Sequence, residues 1–149
     1  MGACPSRIRL TAKQTNATIL LVDDFDPWRA ILRNLLSQRR WTIVAEASDG
    51  PGAVRKASEL RPDIVTLDIG LPGFDRIEAA RLIRRQSPDT SIVFLTQLAD
   101  DDIRETALAA GGVAYVLKAR VTTDLIPAIE RAQAAATSDR QPVSISSRT

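Results

Sequence analysis

Histidine is absent from this 149-residue chain, and cysteine occurs once, as Cys4. Without histidine there is no Ser-His or Cys-His catalytic pair, no imidazole metal ligand and no phosphohistidine carrier. A single cysteine excludes an internal disulfide and a thiolate zinc site. Aromatic residues make up only 4% of the chain. No apolar run approaches the ~20 residues that span a bilayer, so no membrane partner is expected. Residues 1–16 are polar and basic and lack the apolar stretch of a secretory signal. Excess charge is also scarce: 20 Lys and Arg stand against 18 Asp and Glu, a formal net charge of +2. The basic residues are mostly scattered arginines, so no direct contact with nucleic acid is expected. What remains, 44% hydrophobic and 26% charged, is the composition of a soluble domain with a core. Its expected compartment is the cytoplasm.

Apolar runs alternate with helical patterns five times. Strands are expected over Ala17–Asp23, Trp41–Ala47, Asp63–Asp68, Ser91–Thr96 and Val113–Lys118. A first helix is expected near Pro27, with Trp28, Ile31, Leu32, Leu35 and Leu36 at helical spacing. Asp49-Gly50-Pro51-Gly52 reads as a turn before a helix over Ala53–Leu60. The stretch Ile69–Phe74 reads as a Gly/Pro loop, followed by a helix over Asp75–Gln86. Asp100, Asp101 and Asp102 suit a fourth helix start, and Gly111-Gly112 its end. A fifth helix is expected over Thr122–Ala135. Residues 1–16 read as a disordered leader, 17–136 as one domain and 137–149 as a flexible tail.

Five βα units with right-handed crossovers give an α/β, flavodoxin-like, doubly wound parallel sheet with expected strand order 2-1-3-4-5. Ligands bind such sheets at the carboxyl ends of the strands, and this order places the ends of strands 1 and 3 side by side. Asp23 and Asp24 end the first strand, Asp68 the third, Thr96 the fourth and Lys118 the fifth. Carboxylates so placed suit Mg²⁺, which prefers hard oxygen ligands and retains waters. They cannot stay close and ionised without a cation. Asp68 can then act as an oxygen nucleophile toward phosphorus, with Lys118 and Thr96 supporting the phosphoryl oxygens. Taken singly, Asp23 or Asp24 is equally an N-cap, Asp68 a turn residue and Tyr115 an ordinary half-buried strand aromatic. Their joint placement at strand ends is what carries the functional reading.

The stretches Ile19-Leu20-Leu21-Val22-Asp23-Asp24, Pro62-Asp63-Ile64-Val65-Thr66-Leu67-Asp68-Ile69-Gly70-Leu71-Pro72-Gly73 and Gly111-Gly112-Val113-Ala114-Tyr115-Val116-Leu117-Lys118, with Asp49-Gly50 and Thr96, resemble one family. It is the response-regulator receiver domain (CheY-like) of bacterial two-component systems, and the likeness covers about residues 17–136. The resemblance implies that Asp68 is the phosphoacceptor and that Asp23, Asp24, Asp68 and the Gly70 carbonyl bind Mg²⁺. It implies that Thr96 and Lys118 contact the phosphoryl group, and that Thr96 and Tyr115 form a switch. That switch reshapes the surface made by the fourth helix, fifth strand and fifth helix. Implied partners are a sensor histidine kinase, a downstream effector and a second copy docked through that surface. Such a chain is a switch rather than an enzyme.

Two residues depart from the family pattern. Gln97 stands where a small residue is usual, so crowding of the phosphoryl site is expected. Arg76 stands where glycine is usual, so backbone strain is expected there. Two other readings compete. A phosphatase of the haloacid dehalogenase type needs a second Asp two residues after the nucleophile, and that position is Gly70. A receiver that only binds partners would have lost the acidic pair, the threonine or the lysine, and all are kept. After the fifth helix only about a dozen residues follow, too few to bury a core. Either the chain acts alone or an effector domain lies beyond this sequence.

Overall fold

The computed structural model describes residues 17–39, 41–69, 74–97 and 99–139. The expected leader, the Gly70–Gly73 stretch and most of the expected tail lie outside them. The order is β1 (Thr18–Val22), α1 (Asp26–Leu36), β2 (Thr42–Ala47), α2 (Gly50–Leu60), β3 (Ile64–Ile69), α3 (Phe74–Gln86), β4 (Ser91–Thr96), α4 (Asp101–Ala109), β5 (Gly112–Leu117), a 3₁₀ turn (Lys118–Arg120) and α5 (Val121–Asp139). The strands form one parallel sheet in the order β2-β1-β3-β4-β5, as the sequence leads one to expect.

Every residue of β3 and β4 is buried, because helices cover both faces of the sheet. Alternation along each strand sorts the core into two layers. Ile19, Leu21, Ile64, Val93, Leu95, Ala114 and Val116 pack with Leu32 and Leu36 of α1 and with Leu125 and Ile129 of α5. Leu20, Val22, Val65, Leu67, Ile92 and Phe94 pack with α2, α3 and α4. Continuing that alternation past the strand ends puts Asp23, Asp68 and Lys118 on the α1/α5 side. Among the described residues no helix is long and apolar enough to cross a membrane.

Several boundaries differ from the sequence expectation. The Asp49 carboxylate accepts a hydrogen bond from the Gly52 amide at 2.7 Å, so α2 starts at Gly50 and takes in the expected turn. Asp100 caps α4 through the amides of Asp102 and Ile103. β3 continues one residue past Asp68, to Ile69. β5 stops at Leu117, so Lys118 opens the 3₁₀ turn instead of ending the strand. α5 runs to Asp139, past the Ala135 end expected, and holds Pro127 within it. After α4, Gly111 adopts a φ of 116°, a conformation that a side chain resists.

Arg76 is not strained. It lies in the first turn of α3, and Arg61 is the one non-glycine residue with positive φ among those described.

Candidate metal centre

Asp23 follows β1 directly, and its partner strand β3 pairs Leu67 with Val22. Asp23 and Asp68 are therefore one step beyond the same rung of the sheet. Asp23 is fully buried and Asp68 is 4% exposed, whereas Asp24 is exposed. One carboxylate oxygen from each of Asp23, Asp24 and Asp68 lies within 4.8 Å of the others.

Lys118 joins the two buried acids. Its Nζ is 2.8 Å from Asp23 Oδ2 and 2.9 Å from Asp68 Oδ1. The ammonium also lies 4.8 Å from the centre of the Trp28 ring, a cation–π contact from α1. The other Asp23 oxygen, Oδ1, accepts from the Phe25 amide at 2.9 Å. That bond tightens the β1–α1 connection. Neither Asp23 nor Asp24 caps α1, whose N-cap is Phe25 with no side-chain cap. Arg29 donates to the Asp23 carbonyl at 2.5 Å and fixes the chain there from the second turn of the helix.

A second cation reaches Asp68 from the opposite layer. Arg76 Nη1 lies 3.6 Å from Asp68 Oδ2 and donates to the Asp68 carbonyl at 3.0 Å. Its Nη2 donates to the Ser48 carbonyl at 3.4 Å. Burial pushes the Asp68 carboxyl above the ordinary carboxylate range. The hydrogen bond from Lys118 opposes that rise, and the charge of Asp23 adds to it.

Thr96 ends β4, in register with Ile69 and Leu117, and is buried. Its side chain hydrogen-bonds the Tyr115 hydroxyl, which also bonds the Asp100 backbone, while burial raises the tyrosine pKa. The two residues expected to form a switch are thus in direct contact. Gln97 is exposed. Gly70, expected to give a carbonyl ligand, lies outside the described residues.

The donor set fits Mg²⁺. Ligands about 2.1 Å from the ion place opposite oxygens about 4.2 Å apart, so a span of 4.8 Å needs only a small contraction. The exposed Asp24 leaves room for the waters this ion keeps. Sequence reasoning named Asp23, Asp24, Asp68, Thr96 and Lys118. It read Trp28 only as part of the helical repeat and Arg76 only as a backbone problem. A tryptophan four residues after an acidic pair and an arginine eight after Asp68 carry no signal of reach without coordinates.

The fold and the acidic carboxyl edge define a doubly wound α/β protein with three carboxylates that could hold a metal ion. A family model described as the response regulator receiver domain matches residues 19–130, and the chain belongs to that family, the receiver domains of two-component systems. It is 31% identical to the chemotaxis protein CheY of Listeria monocytogenes over 114 residues, covering 76% of this chain and 96% of that protein. It is 37% identical to the transcriptional regulatory protein LiaR of Bacillus subtilis over 115 residues, 76% of this chain. The match spans only 54% of LiaR, about half its length. Among solved structures, a LuxR-family two-component response regulator from Aurantimonas superposes with a TM-score of 0.76 at 37% identity, over 80% of this chain and 86% of that one.

Proposed function

We propose that this chain is the phosphoacceptor switch of a cytoplasmic phosphorelay, with Asp68 taking a phosphoryl group from a sensor histidine kinase. The observation that supports this most is the pairing of buried Asp68 and Asp23 through one ammonium, at 2.9 and 2.8 Å. Asp68 Oδ forms the new bond to phosphorus, and the phosphorus–nitrogen bond of the donor breaks, with the imidazole leaving. Asp23, Asp24 and Asp68, with the Gly70 carbonyl, would hold Mg²⁺. Bound there, Mg²⁺ supplies the positive charge that offsets the phosphoryl oxygens.

Lys118 turns from Asp68 to a phosphoryl oxygen without leaving Asp23, so its charge stays balanced throughout. The Thr96 hydroxyl bonds another phosphoryl oxygen and in doing so releases Tyr115. Tyr115 lies on β5 beside α4, so its rearrangement reshapes the α4–β5–α5 surface. That surface receives the downstream effector or a second copy of the chain. The residue two positions after Asp68 is Gly70, whose side chain can neither donate nor take a proton, which favours storage of a phosphoryl group over turnover of phosphate esters.

Incubation with a small phosphodonor such as phosphoramidate, with and without MgCl₂, tests the reading by intact mass. One phosphoryl group is expected on the parent chain, in a metal-dependent manner, and none on Asp68→Asn. Equal labelling of Asp68→Asn would overturn the assignment.

A further inference from the structure

Asp68 has a cation on each oxygen, Lys118 on Oδ1 and Arg76 on Oδ2. The second is the unusual one. Arg76 is only 8% exposed, and its guanidinium meets one carboxylate oxygen and the carbonyls of Asp68 and Ser48. A carboxylate oxygen joined by main-chain carbonyls is the donor set a hard metal ion takes. Arg76 sits in the first turn of α3, where the helix dipole disfavours a cation. Its contacts with Asp68 and Ser48 hold it there.

The charge balance changes accordingly. Three carboxylates against Lys118 alone would leave the cluster with two negative charges, which a divalent ion cancels. With Arg76 in place a single negative charge remains, and a divalent ion overshoots it. Phosphorylation restores the demand, since an acyl phosphate carries more negative charge than the carboxylate it replaces.

We propose that Arg76 is a resident counter-cation of Asp68 that weakens divalent-metal binding to the unphosphorylated cluster. The proposal rests on reading Asp23, Asp24 and Asp68 as the metal site. Arg76 is a positioning residue here, acting on Mg²⁺ through Asp68. A cation this close to a ligand oxygen opposes a second cation by the same force that lowers a carboxylate pKa by one unit or more. Salt reduces the effect only in part, because the pair is shielded from solvent.

The test is calorimetric titration of MgCl₂ into the parent chain, Arg76→Met and Arg76→Lys, each first shown by circular dichroism to melt cooperatively. Met keeps much of the apolar stem and removes the charge, whereas Lys keeps the charge. Arg76→Met is expected to bind Mg²⁺ about tenfold more tightly than the parent, the factor that one pKa unit of charge coupling represents. Arg76→Lys is expected to stay closer to the parent. The sign separates this from a structural role, since a loosened site binds metal more weakly. If the parent binds Mg²⁺ and Arg76→Met binds it equally or less well, the role of Arg76 is overturned and the metal site stands. If neither binds Mg²⁺, both readings fall. If Arg76→Met fails to melt cooperatively, Arg76→Gln replaces it as the charge-free variant: tighter Mg²⁺ binding than the parent upholds the proposal, and equal or weaker binding overturns it.

Discussion

At the amino end of the sheet, Asp63 accepts from the Thr18 amide at 2.9 Å and from the Thr18 hydroxyl at 3.2 Å, and its own amide donates to that hydroxyl at 3.0 Å. Nearby, the Ser91 amide bonds the Asp63 carbonyl, and the Thr90 hydroxyl bonds the Pro62 carbonyl. At the carboxyl end, Asp23 and Asp68 depend instead on Lys118 and Arg76. Both ends carry acidic side chains at strand termini. At the amino end, neutral donors from Thr18 meet the Asp63 carboxylate. At the carboxyl end, the cationic heads of Lys118 and Arg76 meet the acids, and under the proposed function a metal ion or a phosphoryl group would compete for them. The first arrangement ties two strand starts together, and the second gathers charges of both signs at one edge.

Removing the shared cation should break that contrast most strongly. Lys118→Met leaves Asp23 and Asp68 facing each other in a buried site. Losing one partner of a buried pair costs about 3–5 kcal/mol, to be read by urea denaturation. Added MgCl₂ should return part of that loss in the variant. A variant as stable as the parent would show that the carboxyl end is as self-sufficient as the amino end.

A smaller loss is expected at the amino end. Thr18→Val removes the hydroxyl that accepts from Asp63, at a cost of about 1–2 kcal/mol, with phosphoryl uptake and its metal dependence unchanged. A change in uptake would mean that the two ends are coupled through β1 and β3.

The most modest effect is on pH dependence. Burial holds the Asp68 carboxyl above its ordinary range, so the native state binds this proton more tightly than the unfolded chain does. Stability relative to Asp68→Asn should therefore rise as pH falls through the elevated native pKa. The rise should end below the unfolded value of about 3.9. Its slope cannot exceed about 1.4 kcal/mol per pH unit. Denaturant midpoints of the two proteins across that window measure it, and parallel profiles would place Asp68 among ordinary carboxylates.

The sequence showed the sheet order because each strand is a short, largely apolar run of the right length, and because β3 and β4 carry apolar residues on both faces. It showed Asp23, Asp24 and Asp68 because strand ends are legible and parallel topology aligns them. It misjudged Arg76 because a pattern written in backbone terms says nothing about a long side chain reaching the Asp68 carboxylate. It placed Lys118 at a strand end, whereas that residue begins a 3₁₀ turn. The lysine still meets Asp23 and Asp68, because a flexible four-carbon stem tolerates a one-residue change in element. It began α2 three residues late, because Gly and Pro read as a turn until the Asp49 cap is seen. The partnership of Thr96 with Tyr115 crosses between strands and has no signature along the chain.

The indole of Trp28 stands over the ammonium that bridges Asp23 and Asp68, the group that the proposed function would have an ion or phosphoryl group disturb. The other tryptophan, Trp41, is bonded to Gln133 at 3.2 Å and immediately precedes the start of β2, at the amino end of the sheet. Substituting Trp41 with phenylalanine would leave emission from one chromophore, seated beside the chemistry. Occupancy could then be followed in real time by light alone, without a dye or an isotope.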